Sequence, residues 1–126
     1  MTNVEANSFS FTKSQRLLNS SDFSAVFDGA QFKAPHSHFL ILAIPNALGH
    51  SRLGLVIAKK NVRLAKDRNR IKRLVRESFR LKQHNLPAID AIVLARRGSG
   101  ELENPALIKT LDSLWKRVAQ RANKKD

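Results

Sequence analysis

Between Arg52 and Lys82 the chain carries twelve lysines and arginines against two acids, Asp67 and Glu77, and any fold it adopts has to accommodate that concentration of charge. The stretch is not uniformly polar. Wound onto a helix turning about 100° per residue, residues 66–82 place Ile71, Leu74, Val75, Ser78, Phe79 and Leu81 in one continuous stripe. Lys66, Arg70, Lys72, Arg73, Arg76 and Arg80 take the opposite arc, with Arg68 at its border and Asn69 near its middle. A helix of this kind buries its apolar side against other elements and keeps its basic side for solvent or for a polyanion.

Of the formal net charge of +13, the stretch supplies +10; residues 1–51 are neutral on balance and residues 83–126 add +3. Charge so localised marks a binding surface for nucleic acid or an anionic membrane. A membrane-surface helix needs bulky apolar residues ready to insert. Here the apolar stripe is needed to cover strands, so nucleic acid is the expected partner. The longest apolar run, Phe39–Ile44, is far below the roughly 20 residues that span a bilayer. Met1–Ser10 is polar, carries Glu5 and lacks the pattern of a secretory signal, and there is no cysteine; both point to a cytoplasmic protein.

With 126 residues, 42% of them hydrophobic, the chain suits one domain with one core. Residues 1–12 show no periodicity and read as a flexible N-terminal tail, 13–122 as a single RNA-binding domain, and 123–126 as a frayed C-terminus. Ser20 or Ser21 is a fitting N-cap for a helix over 20–28, in which Phe23, Val26 and Phe27 share a face and Gly29 is the stop. A short strand is expected around Gln31–Ala34, and a central one within His36–Asn46. Arg52–Lys60 is a third strand, joined to the second by a turn-rich connection and expected to pair with it as an antiparallel hairpin. The basic helix follows, then a strand over Ile89–Ala95. Asn104-Pro105 starts a final amphipathic helix that carries Leu107, Leu111, Leu114, Trp115 and Val118 on its apolar side and runs to about Arg121.

Nothing in the chain gathers the groups of a protein nuclease. Metal-dependent phosphodiester cleavage needs clustered carboxylates, yet Asp67 and Glu77 face different ways on the helix, with Asp67 better placed as an N-cap or a partner for neighbouring bases. His36 and His38 can share a strand face but lack a third ligand. The expectation is no catalytic and no metal-binding residue. The uncharged Asn69 amide within the basic arc suits a sugar hydroxyl, a phosphate or a base edge. Lys59, Lys60 and Arg63 extend the arc onto the adjoining loop. Arg96, Arg97 and the Lys116-Arg117 pair are further candidates for phosphate contact, and Trp115 is expected in the core.

Arg52-Leu-Gly-Leu-Val-Ile-Ala-Lys-Lys60 followed by Asp67-Arg-Asn-Arg-Ile-Lys-Arg-Leu-Val-Arg-Glu-Ser-Phe79 resembles the signature of the bacterial ribonuclease P protein subunit. The Arg68-Asn69-Arg70 core carries most of that specificity, and the likeness runs from about Phe9 to Val118. The resemblance implies an α/β fold, an α+β sandwich with a central, mostly antiparallel sheet in the order α-β-β-β-α-β-α. It also implies a left-handed crossover in which the basic helix links two parallel strands, here 52–60 and 89–95. It implies a protein that binds a catalytic RNA and promotes endonucleolytic removal of the 5′ leader from precursor tRNA, with Mg2+ held mainly by the RNA and the catalytic groups supplied by it.

By transfer onto matching positions, Arg68, Asn69, Arg70, Lys72, Arg73, Arg76, Lys59, Lys60, Arg63 and Lys66 would contact the catalytic RNA. A cleft between the first helix and one sheet face would hold the single-stranded leader, using Arg16, Phe23, Phe27, Val56, Ala58 and Lys60. Aromatic faces stack on unpaired bases, and small residues such as Gly54 on the alternating strand face would let a backbone approach. The competing readings are a structural RNA-binding protein such as a ribosomal component, and a protein-only nuclease, which the missing carboxylate cluster disfavours.

Overall fold

The computed structural model describes residues 13–123; the expected tail over 1–12 and the last three residues lie outside them. The elements are α1 (Ser20–Gly29), β1 (Phe32–Pro35), β2 (Phe39–Pro45), β3 (Arg52–Val56), α2 (Ala65–Lys82), β4 (Ile89–Ala95) and α3 (Asn104–Asn123), the expected α-β-β-β-α-β-α order. One four-stranded sheet runs β1-β2-β4-β3. β1 pairs antiparallel with β2 and β2 antiparallel with β4, while β3 lies parallel to β4 along the other edge.

The expected β2–β3 hairpin does not form, because β4 lies between the two strands. Its sequence explains why. Ile89, Ala91, Val93 and Ala95 face one side of the sheet and Asp90, Ile92 and Leu94 the other, and all but the half-buried Leu94 are buried. A strand apolar on both faces loses least in the middle of a sheet, with a neighbour on each side and helices above and below. The β2–β3 connection is therefore a crossing over one end of β4, where the Asn46 amide N–H donates to the Ala88 carbonyl at 3.0 Å.

Three layers result. On one face α2 and α3 bury Ile71, Val75, Phe79, Leu107, Leu111, Leu114, Trp115 and Val118 against Phe39, Ile41, Leu53, Ile89 and Val93. The Phe79 and Trp115 rings meet at 5.6 Å between centroids where the two helices touch. On the other face α1 packs Val26 and the half-buried Phe23 over Ile92, Leu42, Ile44, Val56 and Leu94. Leu81, assigned by periodicity to the buried stripe, lies at its margin and is 50% exposed.

Two helix starts differ from expectation, and the third begins where expected. Asn19, not Ser20 or Ser21, caps α1 by accepting the Asp22 amide N–H at 2.9 Å. α2 is capped at Leu64 with no side-chain bond, so Asp67 sits in its first turn, where a carboxylate favours the helix dipole. Asn104 opens α3, but its side-chain oxygen accepts from Arg70 at 2.9 Å.

Candidate nucleic-acid interface

The basic side of α2 faces outward as the pattern requires: Lys66, Asn69, Arg73 and Arg76 are exposed and Lys72 is half-buried. Lys66, Asn69, Arg70 and Arg73 line one broad basin of about 660 Å3 together with Asp67. Arg68 and Arg70 behave differently. Arg68 Nη1 donates to the carbonyls of Val62 and Arg63 at 3.0 and 2.8 Å. Arg70 donates to the carbonyls of Leu102 and Gly100 and to Asn104 Oδ1, all at 2.8–2.9 Å, and meets Asp67 at 3.6 Å. Each guanidinium satisfies loop carbonyls that strands and helices leave unpaired. The two arginines expected to lead RNA contact thus tie the loops before α2 and before α3 to the helix.

Between those loops lies a second basin, of about 520 Å3, lined by Lys60, Arg63, Asp67, Arg97, Gly98 and Glu101. It brings Lys60 and Arg63 together with Arg97. Lys59 and Lys60 are exposed, but on a turn, because β3 ends at Val56 rather than at residue 60. Ala58 likewise lies beyond the strand, its carbonyl accepting the amide N–H groups of Asn61 and Val62 at 3.0 Å. The alternation that put Gly54, Val56, Ala58 and Lys60 on one sheet face therefore holds only for Gly54 and Val56.

The second expected surface is partly assembled. Arg16, Leu17, Phe23 and Gly54 line a cleft of about 250 Å3 along the β3 edge, and its opposite wall is Lys72 and Arg76 of α2. Residues assigned separately to substrate leader and to catalytic RNA thus share one cleft. Arg16 is held there by a parallel bridge to Leu53, reinforced by the Leu17 amide N–H donating to the Leu53 carbonyl at 3.0 Å. The Phe23 ring abuts Gly54; a Cβ at that glycine would stand 2.7 Å from the Phe23 Cζ. The space opened by Gly54 is therefore filled by Phe23 rather than left for a backbone. Phe27 lies outside the cleft and is 45% exposed, and Val56 packs within the α1 cluster.

An ion-pair staple missed in the sequence fixes this geometry. Arg52 donates to both Asp90 carboxylate oxygens, at 2.9 and 2.7 Å, and meets Asp22 of α1 at 3.5 Å. Burial pushes the Asp90 carboxyl up, but hydrogen bonds from Arg52 and Asn46 outweigh it and hold Asp90 below the usual carboxylate range. The hydrogen bond to Asp90 in turn raises Arg52. One guanidinium thereby joins β3, β4 and α1, the helix that carries Phe23. Arg52 and Asp90 are aligned partners in the β3–β4 register, a relation that only the sheet topology reveals.

Among the described residues no three His, Asp or Glu side chains come together as a metal site. Asp67 faces Arg70, and Glu77 is bonded to Arg80. No helix there is long and apolar enough to cross a membrane.

A family model described as Ribonuclease P matches residues 11–119. The chain is 58% identical over 116 residues to the ribonuclease P protein component of Saccharophagus degradans, covering 92% of this chain and 86% of that protein. It is 56% identical over 108 residues to the component from Pseudomonas aeruginosa, covering 86% and 80%. Among solved structures it superposes on the RNase P protein of Staphylococcus aureus with a TM-score of 0.76 at 28% identity, covering 82% of this chain and 94% of that one. For the RNase P protein from Thermotoga maritima the TM-score is 0.71 at 30% identity, with 82% and 96% covered.

Proposed function

The chain belongs to the ribonuclease P protein family and is the protein component of that tRNA-processing ribonucleoprotein, and from this premise we propose how its surfaces divide the work. The basic side of α2 binds the catalytic RNA, with Lys66, Asn69, Lys72, Arg73 and Arg76 facing its backbone and Lys59, Lys60 and Arg63 continuing the contact. Arg68 and Arg70 hold the flanking loops in the shape that the RNA meets. The cleft of Arg16 and Phe23 takes the 5′ leader of precursor tRNA, and Lys72 and Arg76, on its opposite wall, stand between the two RNAs. Phe23 presents an aromatic face to an unpaired base while the cations hold the flanking phosphates. The reading rests on this cleft, because one groove carrying aromatic, small and cationic side chains suits a single strand better than a duplex.

The protein's part is to bind and orient; the groups that cleave the phosphodiester belong to the RNA. Magnesium is held mainly by the RNA, since among the described residues no acidic cluster forms and each of Asp67 and Glu77 has an arginine partner. The setting is the cytoplasm. A purely structural RNA-binding role, as in a ribosomal component, has no observation in its favour here.

The test is leader removal by a bacterial ribonuclease P RNA at low magnesium, with and without purified protein. A large gain in cleavage is expected, and no gain would end the proposal. Phe23→Ala, with the fold verified by a melt, is expected to weaken binding of leader-bearing substrate more than of mature tRNA. Equal loss for both would reduce Phe23 to a packing residue.

A further inference from the structure

The basic surface does not stop at α2. At the end of the sheet where β3 and β4 finish, cations arrive from three separate segments and a histidine pair from a fourth. Arg96 and Arg97 follow β4 and are exposed. The Arg96 amide N–H donates to the His38 carbonyl at 2.9 Å, which joins this end of β4 to the β1–β2 turn. That turn carries His36 and His38, whose rings stand 5.6 Å apart, and Arg117 of α3 donates to the Pro35 carbonyl beside them at 2.9 Å. The His38 ring lies over Gly98, where a Cβ would come within 3.2 Å, and Gly98 takes the left-handed backbone (φ 91°) that turns the chain there. Arg97 and Gly98 in turn line the basin shared with Lys60 and Arg63, which leads to the start of α2.

Three properties set this rim apart from a merely solvated face. Among the described residues, Arg96, Arg97 and Arg117 have no carboxylate within 4.0 Å, although Asp67 and Glu101 line the adjoining basin. Arg117 is fixed by a backbone carbonyl next to His36, so a guanidinium is held against an imidazole pair with no acid to offset it. The His36 Nδ1 accepts the His38 amide N–H at 3.0 Å, which puts the ring proton on Nε2 and leaves an N–H donor on the far side of the ring. Burial, with His38 and Arg117 nearby, lowers the His36 pKa and favours that neutral donor form.

We propose that this rim is a second RNA-backbone surface, continuous with the basic side of α2, on which Arg96, Arg97 and Arg117 take phosphates and His36 donates one hydrogen bond. The proposal rests on the reading of α2 as the site of the catalytic RNA. The ribonucleoprotein's RNA would then reach around the end of the sheet toward α3, away from the leader cleft on the β3 edge. Phosphodiester oxygens suit the arrangement because it offers cations from separate segments and a neutral N–H spread along one end of the sheet.

The experiment compares the wild type with R96A/R97A, R96K/R97K and R73A/R76A proteins in binding a bacterial ribonuclease P RNA transcript across a salt series, with melts to verify folding. R96A/R97A is expected to bind roughly tenfold more weakly at physiological salt and to flatten the log K against log salt slope by about two. R96K/R97K keeps most of the slope, and nucleotides protected from hydroxyl radicals by the wild type become exposed with R96A/R97A. If R73A/R76A flattens the slope while R96A/R97A leaves slope and footprint unchanged, the rim is not an RNA surface, although the reading of α2 stands. If the wild type itself shows no salt-dependent binding, both fall together.

Discussion

Arg70 and Arg73 lie on the same outward arc of one helix, yet they do different things. Arg70 ends on two carbonyls and the Asn104 side chain, whereas Arg73 is exposed at the edge of the α2 basin. Arg70→Ala leaves those loop acceptors without their partner and is expected to cost about 1–3 kcal/mol, with faster amide exchange over residues 99–104. Arg73→Ala should stay within about 0.5 kcal/mol of the wild type while flattening the salt slope of RNA binding by about one. Thermal melts, hydrogen exchange and salt titration separate the two; matching profiles would refute the division of roles. At Gly54, alanine would put a methyl 2.7 Å from the Phe23 ring. Gly54→Ala is therefore expected to destabilise by about 1–3 kcal/mol through overpacking and to weaken leader-bearing substrate selectively. Phe27→Ala, at an exposed position, should do neither.

Among the elements, β4 decides most. It is one of the two interior strands of the sheet and carries Asp90, the acid that receives the Arg52 guanidinium. Asp90→Asn leaves Arg52 with the more distant Asp22 as its only carboxylate. Because Arg52 is partly exposed, the expected loss is about 2–3 kcal/mol, below that of a fully buried pair; denaturant unfolding measures it. α1 should loosen with it, because the same guanidinium holds Asp22. A loss no larger than that of an ordinary surface change would mean that apolar packing alone positions α1. The strand's identity was legible as an apolar run, but its place in the sheet was not, because proximity in sequence favours a β2–β3 hairpin. The clue was available: a strand apolar on both faces belongs inside a sheet.

For the molecule as a whole, acid should lower stability in two steps. His36 has a lowered pKa in the fold, so its contribution to stability is present above the ordinary histidine value of about 6.5. It diminishes below that value and is lost as pH falls through the lowered folded value. Asp90, also lowered, contributes above the ordinary carboxylate value of 3.8 and is lost in the same sense at more acidic pH. Melting temperature followed against pH should thus show a small decline below about pH 6.5 that His36→Asn removes, then a steeper one in acid that Asp90→Asn reduces. A wild-type curve flat from neutral pH down to the carboxylate range would refute the His36 component.

The spacing of apolar and basic residues along 66–82 determined by itself that a helix would pack on one side and offer cations on the other. This is a local matter, settled by 3.6-residue periodicity, and it holds in the structure as α2. The Arg68-Asn69-Arg70 motif placed the chain in its family for the same reason, since it is a contiguous signal. Tertiary structure decided which arginines of that arc are occupied, because the carbonyls that engage Arg68 and Arg70 belong to loops whose paths follow from the packing of β3, β4 and α3. It decided that Arg16 and Phe23 meet Lys72 and Arg76 in one cleft, across more than forty residues of chain. It also decided that Arg96, Arg97, His36 and Arg117 share a rim. Side chains from distant segments become neighbours only once β4 has taken its interior place in the sheet.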